Sequence, residues 1–288
     1  MNDLLLNQTT RANVNSFISK PSSSLLLIGS TGVGKTTIIR YIAARLLAIE
    51  ESQINSYPYI MQISPDEKKS LGINQIRAID RFISLAIPRR DEQQIKRIIL
   101  VDDADKLTLE AQNAVLKNLE EPPYDTIFLL SCTNPNALLD TLKSRVSKIR
   151  IVNPSREALV SYLEQLDPSK TAIDRAMGIS GGSIGSAIGI IEQEETHALA
   201  IAAKLSRNVL SANLYERLLM VNDLSKDPRL VNDLVTTLQQ MADISLEKAT
   251  GMQAKRWQNI LYVAYKAHEH LEHKTNLRLT LTYLMLNL

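Results

Sequence analysis

Leu25-Leu26-Leu27-Ile28-Gly29-Ser30-Thr31-Gly32-Val33-Gly34-Lys35-Thr36-Thr37 decides how the rest of this sequence is read. An apolar run of strand length breaks into a glycine-rich turn, and Ile38 to Leu47 continues with helical spacing. The turn fits G-x-x-x-x-G-K-[ST] in full, between the strand and the helix that this motif requires. The glycines let successive backbone N–H groups turn inward around phosphate oxygens, Lys35 reaches the β and γ phosphates, and Thr36 offers a hydroxyl to Mg²⁺. The helix beginning there adds its positive dipole end. Gly29, Ser30, Thr31, Gly32, Val33, Gly34, Lys35, Thr36 and Thr37 are therefore expected to cradle a nucleoside triphosphate. A glycine turn matching by chance is the alternative, and the flanking strand and helix weigh against it.

Upstream, Val14, Phe17 and Ile18 predict a short helix that Pro21 stops. Downstream, Tyr57 to Ile63 reads as a second strand, with Pro58 marking a strand end or an edge. Ile73, Ile76, Ile79, Asp80 and Ile83 mark a mostly amphipathic helix that ends before Pro88. Arg97-Ile98-Ile99-Leu100-Val101 is a continuous apolar strand that delivers Asp102 and Asp103 at its C-terminal end, where open α/β sheets hold their ligands. Asp102 is expected to hold Mg²⁺ through water and Asp103 to face the γ phosphate. Read alone, Asp103 could simply begin a loop. Thr108 predicts an N-cap with Glu110 in the first turn, and Pro122-Pro123 ends that helix. Thr126 to Ser131 and Ser147 to Val152 supply two more strands. Strands alternating with helices over residues 24 to 152 indicate one doubly wound, mostly parallel sheet.

From Pro154 onward strand signals vanish and apolar residues recur every three or four positions. The stripes run through Leu230-Val231, Leu234-Val235, Leu238 and Met241, then Trp257, Ile260-Leu261, Ala264 and Leu271, then Leu277, Leu281, Leu284 and Leu288. They read as core. Gly178 to Gly185 reads as a helix–helix turn, with Gly182-Ser183 opening the next helix.

Bulk composition fits that picture and narrows the chemistry. The 288 residues allow two or three compact units, and 44% hydrophobic with 22% charged residues is ordinary for a globular chain. A formal net charge of +2 carries no nucleic-acid footprint, so any DNA contact must come from a local patch or an assembly. The single Cys132 excludes an intrachain disulfide and a cysteine zinc site, and a reducing cytoplasm is the simple expectation. Met1 to Lys20 has no signal-peptide pattern, and no segment is long and apolar enough to suggest a membrane span.

Asn113-Ala114-Val115-Leu116-Lys117-Asn118-Leu119-Glu120-Glu121-Pro122-Pro123 resembles the N-A-L-L-K-x-L-E-E-P-P signature of bacterial clamp-loader subunits, tau/gamma and delta prime of DNA polymerase III. Ile73-Asn74-Gln75-Ile76-Arg77, Phe128-Leu129-Leu130 and Leu142-Lys143-Ser144-Arg145-Val146 are similar to further pieces of that family in the same order, as are Asn276 to Leu279 and Leu284 to Leu286 near the end. The resemblance implies an AAA+ P-loop α/β domain over residues 1–153, a small helical lid over 154–193 and an all-helical, oligomerising collar over 194–288. It also implies assembly with other clamp-loader subunits into a hetero-pentamer that loads the sliding clamp onto primer-template DNA. In the family the Arg of S-R-C is an arginine finger, here Arg145, reaching the γ phosphate of a neighbouring subunit, and Thr133 falls at the sensor position beside the chain's own γ phosphate.

Three departures from the family pattern bear on which subunit type the chain resembles. The four-cysteine zinc module is missing, so no zinc is expected. Hydrolysing members carry Asp-Glu where this chain has Asp102-Asp103, and the shorter side chain holds its carboxylate further from the attacking water. The second-sensor G-S-x-R is Gly182-Ser183-Ile184-Gly185, without the arginine. The last two point to the delta prime type, which binds ATP or ADP with Mg²⁺ chiefly to stabilise its fold and has weak or no ATPase of its own within the polymerase holoenzyme. A tau/gamma-like motor that hydrolyses ATP is the alternative, and another AAA+ machine such as a helicase loader is a third reading.

Overall fold

The strand that leads into the glycine turn, Ser24–Ile28 (β1), lies inside a sheet of five strands ordered β2-β3-β4-β1-β5. The computed structural model describes residues 4–65, 70–85, 95–166, 168–192, 197–246, 249–273 and 275–288. In chain order, α1 (Gln8–Ser19) precedes β1, and α2 (Lys35–Leu47), β2 (Ile60–Ile63), α3 (Ile73–Ile83), β3 (Arg97–Val101) and α4 (Leu109–Glu120) follow it. Next come β4 (Thr126–Cys132), the single turn α5 (Asp140–Lys143) and β5 (Ser147–Arg150). Every strand pairing is parallel.

The continuous apolar runs are explained by burial on both faces. Leu26, Ile99, Val101, Phe128 and Leu130 pack with Ile76 and Ile79 of α3 and Ala111, Val115 and Leu119 of α4. Their alternating neighbours Leu25, Leu27, Ile98, Leu100, Ile127 and Leu129 pack with Val14 and Phe17 of α1 and Ile38, Ile39, Ile42 and Leu47 of α2. Successive strand side chains point to opposite faces, so one apolar run serves two helical layers. Each of the fully buried leucines and isoleucines contributes about 1.5–3 kcal/mol relative to exposure.

Local chemistry fixes the element ends. Asn7 caps α1 by accepting from the Thr9 N–H, and the Thr108 hydroxyl accepts from the Ala111 N–H at the start of α4 (3.2 Å) as its sequence position predicts. The strand expected from Tyr57 is shorter. A 3-10 helix over Glu51–Ser56 ends just before it, a turn containing Pro58 takes up its first residues, and pairing begins at Ile60 on the sheet's edge. The fifth strand likewise stops at Arg150 rather than Val152. Pro88, expected to terminate α3, lies outside the described residues, whereas the helix itself ends at Ile83.

The chain divides into two compact units between Ser155 and Arg156. The second unit is wholly helical where it is described: α6 (Arg156–Glu164), α7 (Lys170–Ile179), α8 (Ile184–Glu192), α9 (Ala198–Ser211), α10 (Leu214–Leu224), α11 (Pro228–Leu246), α12 (Gly251–Glu272) and α13 (Leu277–Asn287). The α7–α8 turn is shorter than the glycine cluster, since Gly178 belongs to α7 and Gly185 to α8, and within it Gly181 and Gly182 take φ of +58° and +78°. The three apolar stripes form one core, in which Val231, Leu234, Val235 and Leu238 meet Ile260, Ala264, Leu281 and Leu284. The expected boundary between residues 193 and 194 lies outside the described residues. Among those described, no helix is long and apolar enough to cross a membrane.

Candidate functional site

The glycine turn leaves β1 at its C-terminal end and enters α2 through backbone that other residues adopt only with strain. Gly32 and Gly34 have φ of +77° and +90°, and Gly34 is the residue immediately before α2. At Gly29 a side chain is excluded sterically: an added Cβ would lie 2.8 Å from Val33 Cγ1 and 3.3 Å from Ile151 Cβ. Packing thus requires glycine at position 29, and backbone conformation favours it at 32 and 34. Thr36 and Thr37, in the first turn of α2, are exposed.

Lys35 is the hub of the site. Its side chain is buried, and Nζ donates to the carbonyl oxygens of Gly29 (2.9 Å) and Ser30 (3.1 Å) and to Thr133 Oγ1 (2.8 Å). Burial lowers its pKa from the ordinary lysine value, and the nearby Asp103 and Asp105 carboxylates partly oppose that shift. Thr133 follows β4 directly, so β1 and β4, which are neighbours in the sheet, deliver Lys35 and Thr133 to one place.

Asp102 and Asp103 follow β3, the next strand over. Asp102 is buried. Its Oδ2 accepts from Gln62 Nε2 (2.8 Å) and Ser64 Oγ (2.9 Å), whereas its buried Oδ1 has no hydrogen-bond partner. A buried carboxylate oxygen left over in this way is suited to a hydrated cation. Asp103 adopts a left-handed conformation (φ +48°), its N–H donates to Ser131 Oγ (3.0 Å), and its Oδ2 is paired with Lys106 Nζ at 2.7 Å. The carboxylate expected to face the γ phosphate is thus engaged by an ammonium from its own loop.

Two residues not singled out in the sequence hold this arrangement together. Asp105 accepts from the Thr133 N–H through Oδ1 and the Asn134 N–H through Oδ2, both at 3.1 Å, tying the loop after β3 to the loop after β4. Gln112, buried on α4, donates to the carbonyls of Leu107 (3.2 Å) and Ala137 (3.0 Å) and accepts from the Leu139 N–H (2.8 Å). The only sequence hint of Asp105 was its place two residues after the acidic pair. Gln112 gave none, because a polar residue early in a helix ordinarily faces water. Cys132, also buried here, has its thiol pushed up to about 12, mainly by burial, and is a packing residue rather than a nucleophile.

Arg145 is elsewhere. It lies between α5 and β5, and its carbonyl accepts from Ser24 Oγ at 2.9 Å, at the N-terminal start of β1, whereas the cradle lies beyond the C-terminal end of that strand. Four residue steps of strand separate the two places by about 13 Å. Its guanidinium donates through Nη1 to the Thr141 carbonyl (2.9 Å), pairs through Nη2 with Glu120 Oε1 (2.6 Å), and remains 36% exposed. In the second unit, Ile184 and Gly185 begin α8, so no arginine occupies that first-turn position.

Residues 15–155 match the family described as DNA polymerase III, delta subunit. The chain is similar to DNA polymerase III subunit delta' of Pseudomonas aeruginosa, with 28% identity over 175 residues, 55% of this chain and 52% of that one. To the subunit of the same name from Escherichia coli K12 it is 29% identical over 173 residues, 59% of this chain and 51% of that one. The chain thus spans about half the length of the curated relatives it matches. A RuvB variant of Thermotoga maritima shares the fold with a TM-score of 0.50 at 13% identity, over 86% of this chain and 91% of that one.

Proposed function

We propose that this chain, a relative of the delta prime subunits of bacterial DNA polymerase III, is a nucleotide-holding subunit of a clamp loader that lends Arg145 to the neighbouring subunit. Backbone N–H groups from Gly29 to Thr37 cradle the phosphates of ATP or ADP, and Lys35 exchanges its carbonyl partners for phosphate oxygens. Thr36 supplies its hydroxyl to Mg²⁺, and Asp102 holds the ion through water with the oxygen that has no protein partner. Mg²⁺ neutralises phosphate charge when bound. Thr133, already on Lys35, contacts the terminal phosphate. Asp103, short and paired with Lys106, is poorly disposed to activate water, so turnover by the chain itself is weak or absent. Residues 154–193 act as the lid and 194–288 as the collar through which the subunit joins its partners, the complex then placing a sliding clamp on primer-template DNA.

The observation that carries the reading is the position of Arg145 at the opposite end of β1 from Lys35, with its guanidinium part exposed. An arginine so placed is available to a phosphate on another protomer and remote from its own. The test has two arms. Fluorescent-nucleotide titration of the isolated chain should show binding with negligible ATP turnover, and brisk turnover would instead favour a tau/gamma-like motor. In a reconstituted loader, Arg145→Ala should leave nucleotide binding by this chain unchanged and lower ATPase by about 10³-fold, the cost of a lost finger. Unchanged turnover would overturn the assignment.

A further inference from the structure

We propose that Glu120 is a latch for Arg145, holding the guanidinium within its own chain until a neighbour's terminal phosphate replaces the carboxylate. The inference rests on the finger reading above and adds a residue that reading does not use. Glu120 is the last residue of α4, immediately before Glu121-Pro122-Pro123, and the helix end fixes where its side chain starts. The prolines that follow cannot extend the helix. Arg145 comes from a different segment, one residue beyond the end cap of α5. The two meet at 2.6 Å through Nη2 and Oε1, while Nη1 is turned onto the Thr141 carbonyl.

One guanidinium edge cannot serve two anions at once. Both terminal nitrogens of Arg145 are engaged inside the chain, and these are the groups through which arginine grips a phosphate bidentately. Capture by a neighbour's phosphate therefore requires exchange of the Glu120 contact. Both side chains are partly exposed, Arg145 at 36% and Glu120 at 48%, so the pair is weak enough to open readily. A triphosphate offers more negative charge and two acceptor oxygens, and wins the exchange. After the terminal phosphate is lost, the carboxylate retakes the guanidinium. The latch thus makes engagement of Arg145 depend on whether the neighbour carries ATP or ADP.

The test uses a reconstituted clamp loader with ATP, titrating this chain and reading its half-saturating concentration for stimulating ATPase separately from the maximal rate. Glu120→Gln removes the charge with little change of shape and should lower the half-saturating concentration by up to about five-fold, the range of an exposed ion pair. Glu120→Asp keeps the charge and should return the value toward wild type. The double variant Glu120→Gln/Arg145→Ala should behave as Arg145→Ala alone. Half-saturation unchanged or raised in Glu120→Gln, with Arg145→Ala still abolishing stimulation, overturns the latch and leaves the finger standing. Loss of no activity in Arg145→Ala overturns the finger itself.

Discussion

The Lys35 ammonium and the Thr133 hydroxyl are 2.8 Å apart, joining the start of α2 to the residue after β4 through one part-buried hydrogen bond. Adjacent parallel strands bring together residues far apart in sequence, and the same contact sets the expectations for the cradle.

Lys35→Met removes three hydrogen bonds and the charge proposed to meet the phosphates. Nucleotide affinity should fall by about 10²-fold, the equivalent of about 3 kcal/mol for a lost charged hydrogen bond. Thr133→Val removes only the hydroxyl and should cost less. Equilibrium titration with a fluorescent ATP analogue compares the two.

Gly29→Ala places a methyl 2.8 Å from Val33 Cγ1. Overpacking of this kind costs about 1–3 kcal/mol, measurable as a lowered midpoint in urea. Adding Val33→Ala should recover part of the loss, since the remaining contact with Ile151 Cβ is 3.3 Å and needs a smaller adjustment.

Asp105→Ala leaves the Thr133 and Asn134 N–H groups without their carboxylate. The expected loss is about 1–3 kcal/mol of stability, with faster amide hydrogen exchange confined to residues 133–134 and the turn that follows. A variant as stable as wild type and with unaltered exchange there would show that solvent replaces the carboxylate at no cost.

His197 gives the helical unit a pH dependence. Its Nδ1 is buried without a hydrogen-bond partner, and burial lowers its pKa below 6.5 although the Asp233 charge opposes the shift. Between the lowered folded value and 6.5 the unfolded chain binds more protons, so stability is lost as pH falls through that window. Denaturant midpoints measured across it should decline in wild type and stay flatter in His197→Gln. Asp233, whose pKa burial raises, contributes the opposite slope at lower pH, because its folded form binds the extra proton.

The sheet was legible in the sequence because strands buried on both faces carry continuous apolar runs, and Leu25 to Ile28, Ile98 to Val101 and Ile127 to Leu130 are such runs. Strand ends were harder to read: Tyr57 belongs to no strand because a 3-10 helix and a proline turn intervene, which periodicity over seven residues does not distinguish. Lys35 and Thr133 meet because they follow β1 and β4, which are neighbours in the parallel sheet, and Asp102 follows β3, the next strand. The ion pairs Asp103–Lys106 and Arg145–Glu120 were not legible, since side-chain pairing in loops depends on distances that residue order does not encode.

Gln112 and Glu120 share α4, and each grips the stretch that runs from the end of β4 to the start of β5, one at Ala137 and Leu139 and the other at Arg145. Their spacing is that of a rigid rod, about 12 Å of helical rise. Thr133 and Arg145 therefore sit at two ends of a tether pinned to a common spar, and a tilt of that spar moves both attachment points together.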